Sequence, residues 1–260
     1  MVFWMRRPSA NWLWLIPPLL FGMAYFDQVE GFVGGPEARR APVGLAPDPT
    51  TTAEPVVQVY AARAVRWRGY FGVHTWVSVK RRNADEFTTY EVNGWRLRRT
   101  GTAVSVDQRA PDARWFGNRP ELLADRRGEG VEDLITRIEQ AVESYPYADT
   151  YRVWPGPNSN TFVAHVLRSA PELRADLPPT AIGKDYLDPW FVAQSPSGTG
   201  AQLNVFGVVG ALAGLEEGIE VNVLGATFGV DPLDLSLKLP LAGRLGWPRR
   251  DPVTSVADEN

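Results

Sequence analysis

The chain has 260 residues, a formal net charge of -3, no cysteine and two histidines. The lack of cysteine excludes disulfides, thiolate zinc sites and a cysteine nucleophile, and two histidines are too few for a histidine-rich metal site. With 44% hydrophobic residues and ten tryptophans, we expect a well-packed core, and we predict no metal and no cofactor.

Charge is distributed unevenly along the chain. Basic residues outnumber acidic ones from Pro55 to Arg127, whereas acidic residues prevail from Gly128 to Leu235. A nucleic-acid interface requires a basic stripe in a helical or aromatic context, and this sequence has none. We therefore predict two solvated faces of opposite charge and no nucleic-acid partner. A weaker alternative is an anionic ligand or lipid headgroup near the basic residues Arg63, Arg66, Arg68, Lys80, Arg81 and Arg82.

The N-terminus has the pattern of an export signal. Arg6 and Arg7 precede the uncharged stretch Pro8 to Phe26, which as a helix would be roughly 28 Å long and would just cross a hydrocarbon core. Because no clear small-residue cleavage site follows, residues 1–30 are predicted to be an uncleaved transmembrane anchor, with a removed signal peptide as the alternative. The preceding arginines place the N-terminus in the cytoplasm. The expected location is a bacterial inner membrane, with the globular part on the periplasmic side.

Three further segments follow the anchor. Residues 31–54 are rich in Gly, Pro, Ala and Thr without periodicity, and are predicted to be a flexible linker. Residues 55–248 are predicted to form a single globular domain, and 249–260 a disordered tail.

The globular part alternates strand and helix patterns. Period-two alternation predicts strands at Val56 to Ala64, Gly72 to Arg81, Phe87 to Val92 and Val104 to Asp107. The Asn93-Gly94 pair predicts a tight hairpin that pairs Glu86 to Val92 with Arg96 to Arg99. Helical spacing predicts one helix over Gly130 to Tyr145 and a second from about Asn160 to Pro171.

Two apolar segments near the C-terminus are predicted to form a long Gly-rich β-hairpin. They are Leu203 to Leu215 and Ile219 to Val230. The expected fold is therefore α+β: an antiparallel sheet with two main helices, the hairpin and the N-terminal transmembrane helix.

Several unusual runs carry a resemblance to a known family. They are Gly72-Val73-His74-Thr75-Trp76, Trp115-Phe116-Gly117, Tyr145-Pro146-Tyr147, Trp154-Pro155-Gly156-Pro157-Asn158-Ser159-Asn160-Thr161-Phe162 and Ala181-Ile182-Gly183-Lys184-Asp185-Tyr186. From Arg68 to Gly246 the chain resembles an uncharacterised bacterial family, the domain of unknown function 3750 (DUF3750). The resemblance implies no particular activity.

A more distant resemblance is to circularly permuted papain-like domains of the NlpC type. In those domains a histidine on an early strand precedes a cysteine that opens a helix. Here His74 precedes Ser159, which stands where the resemblance implies the cysteine. A serine hydroxyl stays protonated and needs a base in contact, whereas a helix N-terminus lowers the pKa of a thiol.

The catalytic hypothesis assigns a role to each residue. Ser159 would attack an amide or ester, His74 would take its proton, and Glu91 or Tyr90 would orient the imidazole. Backbone N–H groups of Asn160 and Thr161 would stabilise the oxyanion. Further binding residues are predicted to be Trp76, Asn158, Asn160, Lys184 and Asp185.

Structural roles explain the same residues. Asn158, Ser159 and Asn160 are all favoured helix N-caps, His74 suits a satisfied structural histidine beside Trp76, and Lys184 with Asp185 suits an ion pair. No role is assigned to His165.

Three functional hypotheses remain open. The first is a papain-like domain that binds or hydrolyses a peptide, acyl or lipid-derived ligand. The second is a non-catalytic binding or scaffolding module on the same fold, and the third is a membrane-surface protein that uses the Gly-rich hairpin as its contact. The oligomeric state is left undetermined.

Overall fold

The computed structural model describes residues 35–187, 191–247 and 253–255, and most of its regular elements follow the hydrophobic patterns of the sequence. The helices are α1 (Gly35–Ala38), α2 (Gly94–Thr100), α3 (Val131–Glu143) and α4 (Ser159–Ser169), with 3-10 turns at Arg66–Tyr70 and Pro171–Leu173. The first sheet contains β1 (Val56–Arg63), β2 (Val73–Lys80), β3 (Thr88–Val92), β4 (Val104–Gln108), β5 (Glu121–Arg127) and β13 (Val253–Ser255). The second contains β6 (Val192–Gln194), β7 (Gly200–Val205), β8 (Val209–Gly214), β9 (Gly218–Val223), β10 (Ala226–Asp231), β11 (Ser236–Leu239) and β12 (Gly243–Gly246). The predicted α+β class with two main helices is confirmed.

The first sheet has the strand order β13-β5-β1-β2-β3-β4, and its strands are antiparallel except for the β13–β5 pair. Both faces of its central strands are covered, since every residue of β1 but the last is buried. Helices α3 and α4 pack on one face, where they form the main core with Val57, Val77 and Val79. The other face carries a smaller aromatic cluster that includes Tyr60 and Trp76.

The predicted hairpin at Asn93-Gly94 is wrong. Asn93 instead caps helix α2: its backbone is extended and its side-chain oxygen accepts a hydrogen bond from the backbone N–H of Arg96 at 2.9 Å. Asparagine before glycine suits a type I′ turn, but asparagine is equally a preferred N-cap. β3 therefore pairs with β4, and Val92 lies opposite Val104.

Strand β5 was not predicted from the sequence, because its charged residues interrupt the alternation of apolar and polar residues that indicates a strand. Within it, Asp125 is fully buried, accepts a hydrogen bond from Gln58 at 2.7 Å and pairs with Arg127 at 2.6 Å. Burial of such groups depends on partners from a distant strand, which a local window cannot reveal.

Part of the predicted linker lies against the domain. The buried Asp112 carboxylate accepts hydrogen bonds from the backbone N–H groups of Val43 (3.2 Å), Leu45 (2.7 Å) and Ala46 (3.4 Å). Of the predicted tail, residues 253–255 form β13.

The C-terminal hairpin prediction is also wrong in extent. Each of its two predicted strands is itself a hairpin, β7–β8 and β9–β10, in a seven-stranded antiparallel meander. The reason is that Phe206-Gly207 and Leu224-Gly225 adopt positive φ and reverse the chain inside each apolar run.

No helix within residues 35–187, 191–247 and 253–255 is long and apolar enough to cross a membrane. The anchor predicted for residues 1–30 lies outside the described residues.

Candidate functional site

A cavity of about 490 Å³ opens where β2 begins, beside the N-termini of α2 and α4. His74 and Ser159 both line it. Its aromatic lining comprises Trp67, Phe71, Trp95, Trp115, Tyr151 and Trp154. Such a concave, largely apolar surface with a few polar groups is typical of a ligand site.

His74 is buried and is held by Glu91 and Trp115. Its Nε2 lies 3.0 Å from Oε2 of Glu91, and its ring stacks on Trp115 with centroids 3.8 Å apart and planes at 6°. Strand alternation turns Thr75 toward α4 and places His74 on the opposite face with Trp76. Glu91, the predicted orienting group, therefore does contact the imidazole.

Ser159 opens α4 on the other side of β2. Its carbonyl accepts a hydrogen bond from the Thr75 hydroxyl at 3.2 Å. Within the described ranges, no hydrogen bond joins the Ser159 hydroxyl to His74. The imidazole and the hydroxyl thus border one cavity, but the proton transfer required by the catalytic hypothesis is not preassembled.

The start of α4 is held by two asparagines. Asn158 is the N-cap: its Oδ1 accepts from the backbone N–H groups of Asn160 (2.9 Å) and Thr161 (3.3 Å). These are the groups that the catalytic hypothesis assigns to an oxyanion. Since the cap already satisfies them, an oxyanion would have to compete with Asn158.

The same asparagines join α4 to neighbouring segments. The Nδ2 of Asn158 donates to the carbonyls of Val153 (3.1 Å) and Ile182 (3.0 Å). The Nδ2 of Asn160 donates to the carbonyls of Val73 (3.1 Å) and Ile182 (2.8 Å). Asn158 and Asn160, both predicted binding residues, therefore line the cavity, and their side chains also hold α4 to the neighbouring segments.

The turn at Gly183 allows this packing. Gly183 has φ +93°, and a Cβ there would lie 2.4 Å from Nδ2 of Asn158. Glycine is required both by the left-handed backbone and by this close approach.

The charge beside His74 is set by Glu91 and Arg109. The guanidinium Nη2 of Arg109 lies 3.4 Å from the Glu91 carboxylate. Burial would raise the pKa of Glu91, but its hydrogen bond and charge interaction with His74, together with Arg109, outweigh it and lower the pKa. Glu91 is thus a carboxylate at neutral pH.

The remaining predicted site residues lie elsewhere. Trp76 is fully buried and donates its indole N–H to the carbonyl of Pro111 at 2.8 Å. Lys184 and Asp185 are 3.1 Å apart, and Lys184 also pairs with Glu220 of the second sheet. They form the predicted ion pair rather than part of the cavity lining.

His165 is half-buried between the helices, where its Nε2 contacts the carbonyl of Ala141 at 3.1 Å. Burial lowers the pKa of His165, more than the contact with the Ala141 carbonyl raises it. In the part of the chain that the structure describes, no group of three His, Cys, Asp or Glu residues is arranged for a metal ion.

The aromatic lining of the cavity was not predicted from the sequence. Trp67 and Trp154 stand at its rim, 63% and 48% exposed, and Arg68 lies over Trp67 at 5.3 Å. The available signal was the ten tryptophans. They are scattered along the chain, so only the fold shows which of them meet.

Comparison with known proteins gives a family and no function. The family described as a protein of unknown function (DUF3750) matches residues 54–186. This range includes the cavity-lining elements and ends before β6. The resemblance expected from the sequence runs from Arg68 to Gly246, so the family match does not extend to the second sheet. No curated protein and no solved structure matches the chain.

Proposed function

Because this chain belongs to DUF3750, a family of unknown function, we propose from its own geometry that its cavity binds the apolar part of a peptide, acyl or lipid-derived ligand. The observation that carries this proposal is the aromatic lining of a 490 Å³ cavity with exposed tryptophans at its rim. Fully burying an apolar side chain the size of Leu or Phe contributes about 1.5 to 3 kcal/mol. Arg68 and Arg98 also line the cavity and suit an anionic end of the ligand.

The second part of the proposal concerns location. We place the domain on the periplasmic side of a bacterial inner membrane, tethered by residues 1–30. Its support is the uncharged stretch from Pro8 to Phe26 after Arg6 and Arg7. Protease added to spheroplasts should digest the domain, and protection equal to that of a cytoplasmic control would contradict this placement.

Ligand binding is tested with a dansylated undecanoic acid excited through the tryptophans. The wild type should show saturable energy transfer. Trp67→Ala should weaken binding about tenfold, because it removes a rim contact worth roughly 1.4 kcal/mol or more.

The matched control is Trp247→Ala, which removes an equally exposed indole outside the cavity. Equal affinities of the two variants, or no saturable binding by the wild type, would refute the cavity as the acyl site.

A second candidate function is serine-type hydrolysis or acyl transfer on a papain-like arrangement. It is favoured by the His74–Glu91 pair, which shares a cavity with Ser159 at a helix N-terminus. It requires the Ser159 hydroxyl to reach His74 when ligand is bound. A fluorophosphonate probe should then label the wild type but not Ser159→Ala. The absence of any labelling that depends on Ser159 would count against the enzyme and leave the non-catalytic binding module.

A further inference from the structure

The second sheet has its polarity reversed. In β7 to β12, the positions that point toward the rest of the protein hold polar residues or glycine, except for Leu212. The buried polar residues at these positions include Gln202, Asn204, Glu220, Asn222 and Lys238. The outward positions are apolar: Ala201, Leu203, Val205, Val209, Ala211, Ala213, Ile219, Val221, Val223, Ala226, Phe228, Val230, Leu237, Leu239 and Leu245. A sheet with one face in water shows the opposite pattern.

The inward polar side chains are satisfied by specific partners. Lys238 contacts Glu220 at 2.8 Å and Asp176 at 2.7 Å, and Gln202 donates to the carbonyl of Asp185 at 2.8 Å. These bonds determine which face turns inward. The apolar side chains are therefore presented outward by the register of the strands, not by chance exposure of single residues.

The pattern recurs along the chain. The runs 200–207, 218–225 and 236–243 each place a buried polar residue at the third position, Gln202, Glu220 and Lys238, between apolar outward neighbours. Three successive hairpins thus build one continuous face. At about 4.8 Å per strand and 3.4 Å per residue, it measures roughly 24 Å by 20 Å.

The turns of this sheet place large apolar side chains at positions where the backbone has a positive φ. Phe206, Leu224, Leu235 and Leu241 all have positive φ, where Asn or Gly costs less, and their exposed fractions lie between 47% and 69%. Large side chains in this conformation are rare. Their presence here indicates that the protruding apolar groups serve a contact.

We propose that this apolar face lies in the hydrocarbon of a lipid bilayer. The outward positions of β7 to β12 carry no hydrogen-bonding side chain, whereas protein interfaces average one hydrogen bond per 100 to 200 Å². The predicted anchor at Pro8 to Phe26 would hold the domain beside such a bilayer. A length of about 20 Å is too short to cross a bilayer but suits insertion into one leaflet.

Trp247, at the end of β12, is 70% exposed, and Phe191 packs edge-to-face on Phe206 at the start of the sheet. Aromatic side chains at both margins match the membrane–water interface. The Trp154 indole donates to the carbonyl of Leu224 at 3.0 Å, so the sheet adjoins the rim of the cavity. The bilayer proposal does not depend on the proposed ligand.

The test uses the full-length chain, whose lack of cysteine permits a single fluorescent label. Val221→Cys in β9 is labelled with nitrobenzoxadiazole and mixed with phosphatidylcholine vesicles that carry doxyl groups on their acyl chains. Val205→Cys provides an independent position on the same face. Val106→Cys is the matched control, because Val106 is 54% exposed on β4 of the other sheet.

The labels at 221 and 205 should shift to the blue and be quenched several-fold more strongly than the label at 106, although the anchor holds all three near the vesicle. An unshifted emission at 221 and 205 would overturn the proposal, since the face would then be in water. A shifted but unquenched emission would also overturn it, because protein would then cover the face. A disulfide formed between two copies of the unlabelled Val221→Cys chain on addition of a copper-phenanthroline oxidant would identify a second copy as that cover.

Discussion

At the scale of single residues, several side chains of the candidate site also make hydrogen bonds that hold the fold together. Asn158 caps α4 through its oxygen and holds the carbonyls of Val153 and Ile182 through its nitrogen. Glu91 fixes the imidazole of His74. Variants that remove some of these hydrogen bonds and keep the others can separate the structural contribution of each residue from a role in binding.

Asn158→Ala should lower the free energy of unfolding by at least 1 to 2 kcal/mol, because it removes the N-cap and both side-chain donors. Asn158→Ser retains a capping oxygen but cannot bridge to Ile182, so its stability should be intermediate. Urea unfolding monitored by circular dichroism measures the difference. A wild-type midpoint for the alanine variant would show that the cap is dispensable.

Glu91→Gln should destabilise the protein at pH 7 and make its stability less dependent on pH on the acid side. The folded pKa of Glu91 is lowered, so its stabilisation is present above the unfolded value of about 4.3 and is lost as the pH falls through the folded pKa. Urea unfolding between pH 7 and pH 3 measures this. The exposed Glu121→Gln is the control, with an expected effect within about 0.5 kcal/mol. Parallel pH profiles for wild type and Glu91→Gln would contradict the assignment.

At the scale of elements, local signals were ambiguous where two structures use the same residue types. Asn93-Gly94 suits a hairpin turn and a helix start equally, and the pairing of β3 with β4 decided between them. Conversely, Phe206-Gly207 and Leu224-Gly225 carry no typical turn signal at their first residue, yet both reverse the chain. Apolar runs of 12 or 13 residues were therefore interpreted as single strands.

Leu224→Asn should raise the free energy of unfolding by about 0.5 to 1 kcal/mol, since asparagine tolerates the left-handed backbone that leucine does not. The comparison is Val221→Asn, which places the same amide on an extended strand of this sheet and should give no gain. Both are measured by urea unfolding in detergent. A loss of stability at 224 as large as that at 221 would contradict the strain argument.

At the scale of the whole molecule, a buried ion cluster joins the second sheet to the first part of the chain. Lys184 and Lys238 share the Glu220 carboxylate, and Lys238 also reaches Asp176. Burial raises the pKa of Glu220, but the charges and hydrogen bonds of the two lysines outweigh it and lower the pKa. Each partner satisfies a charge that would otherwise be costly to bury.

Lys238→Met should cost about 3 to 5 kcal/mol, because it leaves the buried Glu220 and Asp176 carboxylates with one cation fewer. Lys80→Met is the matched control: Lys80 is also buried, but its Nζ contacts the Arg81 carbonyl rather than a carboxylate, so a smaller loss is expected. Urea unfolding compares them. Equal losses would show that packing, not charge, explains the effect.

The α+β class, both main helices and four strands could be predicted from the sequence alone, because periods of 3.6 and 2 are local properties of the chain. Of the predicted site residues, His74, Asn158 and Ser159 line one cavity and Glu91 contacts His74, whereas Trp76, Lys184 and Asp185 lie elsewhere; their roles in binding or catalysis stay predictions. The tertiary structure was needed to show that α4 packs on the face of β2 that carries Thr75 and not His74, that Asn158 occupies the supposed oxyanion donors, and that β5 buries its charges. It also decided which face of the second sheet turns inward. Each of these depends on partners far away in the sequence, whose hydrogen bonds and charges outweigh local preference.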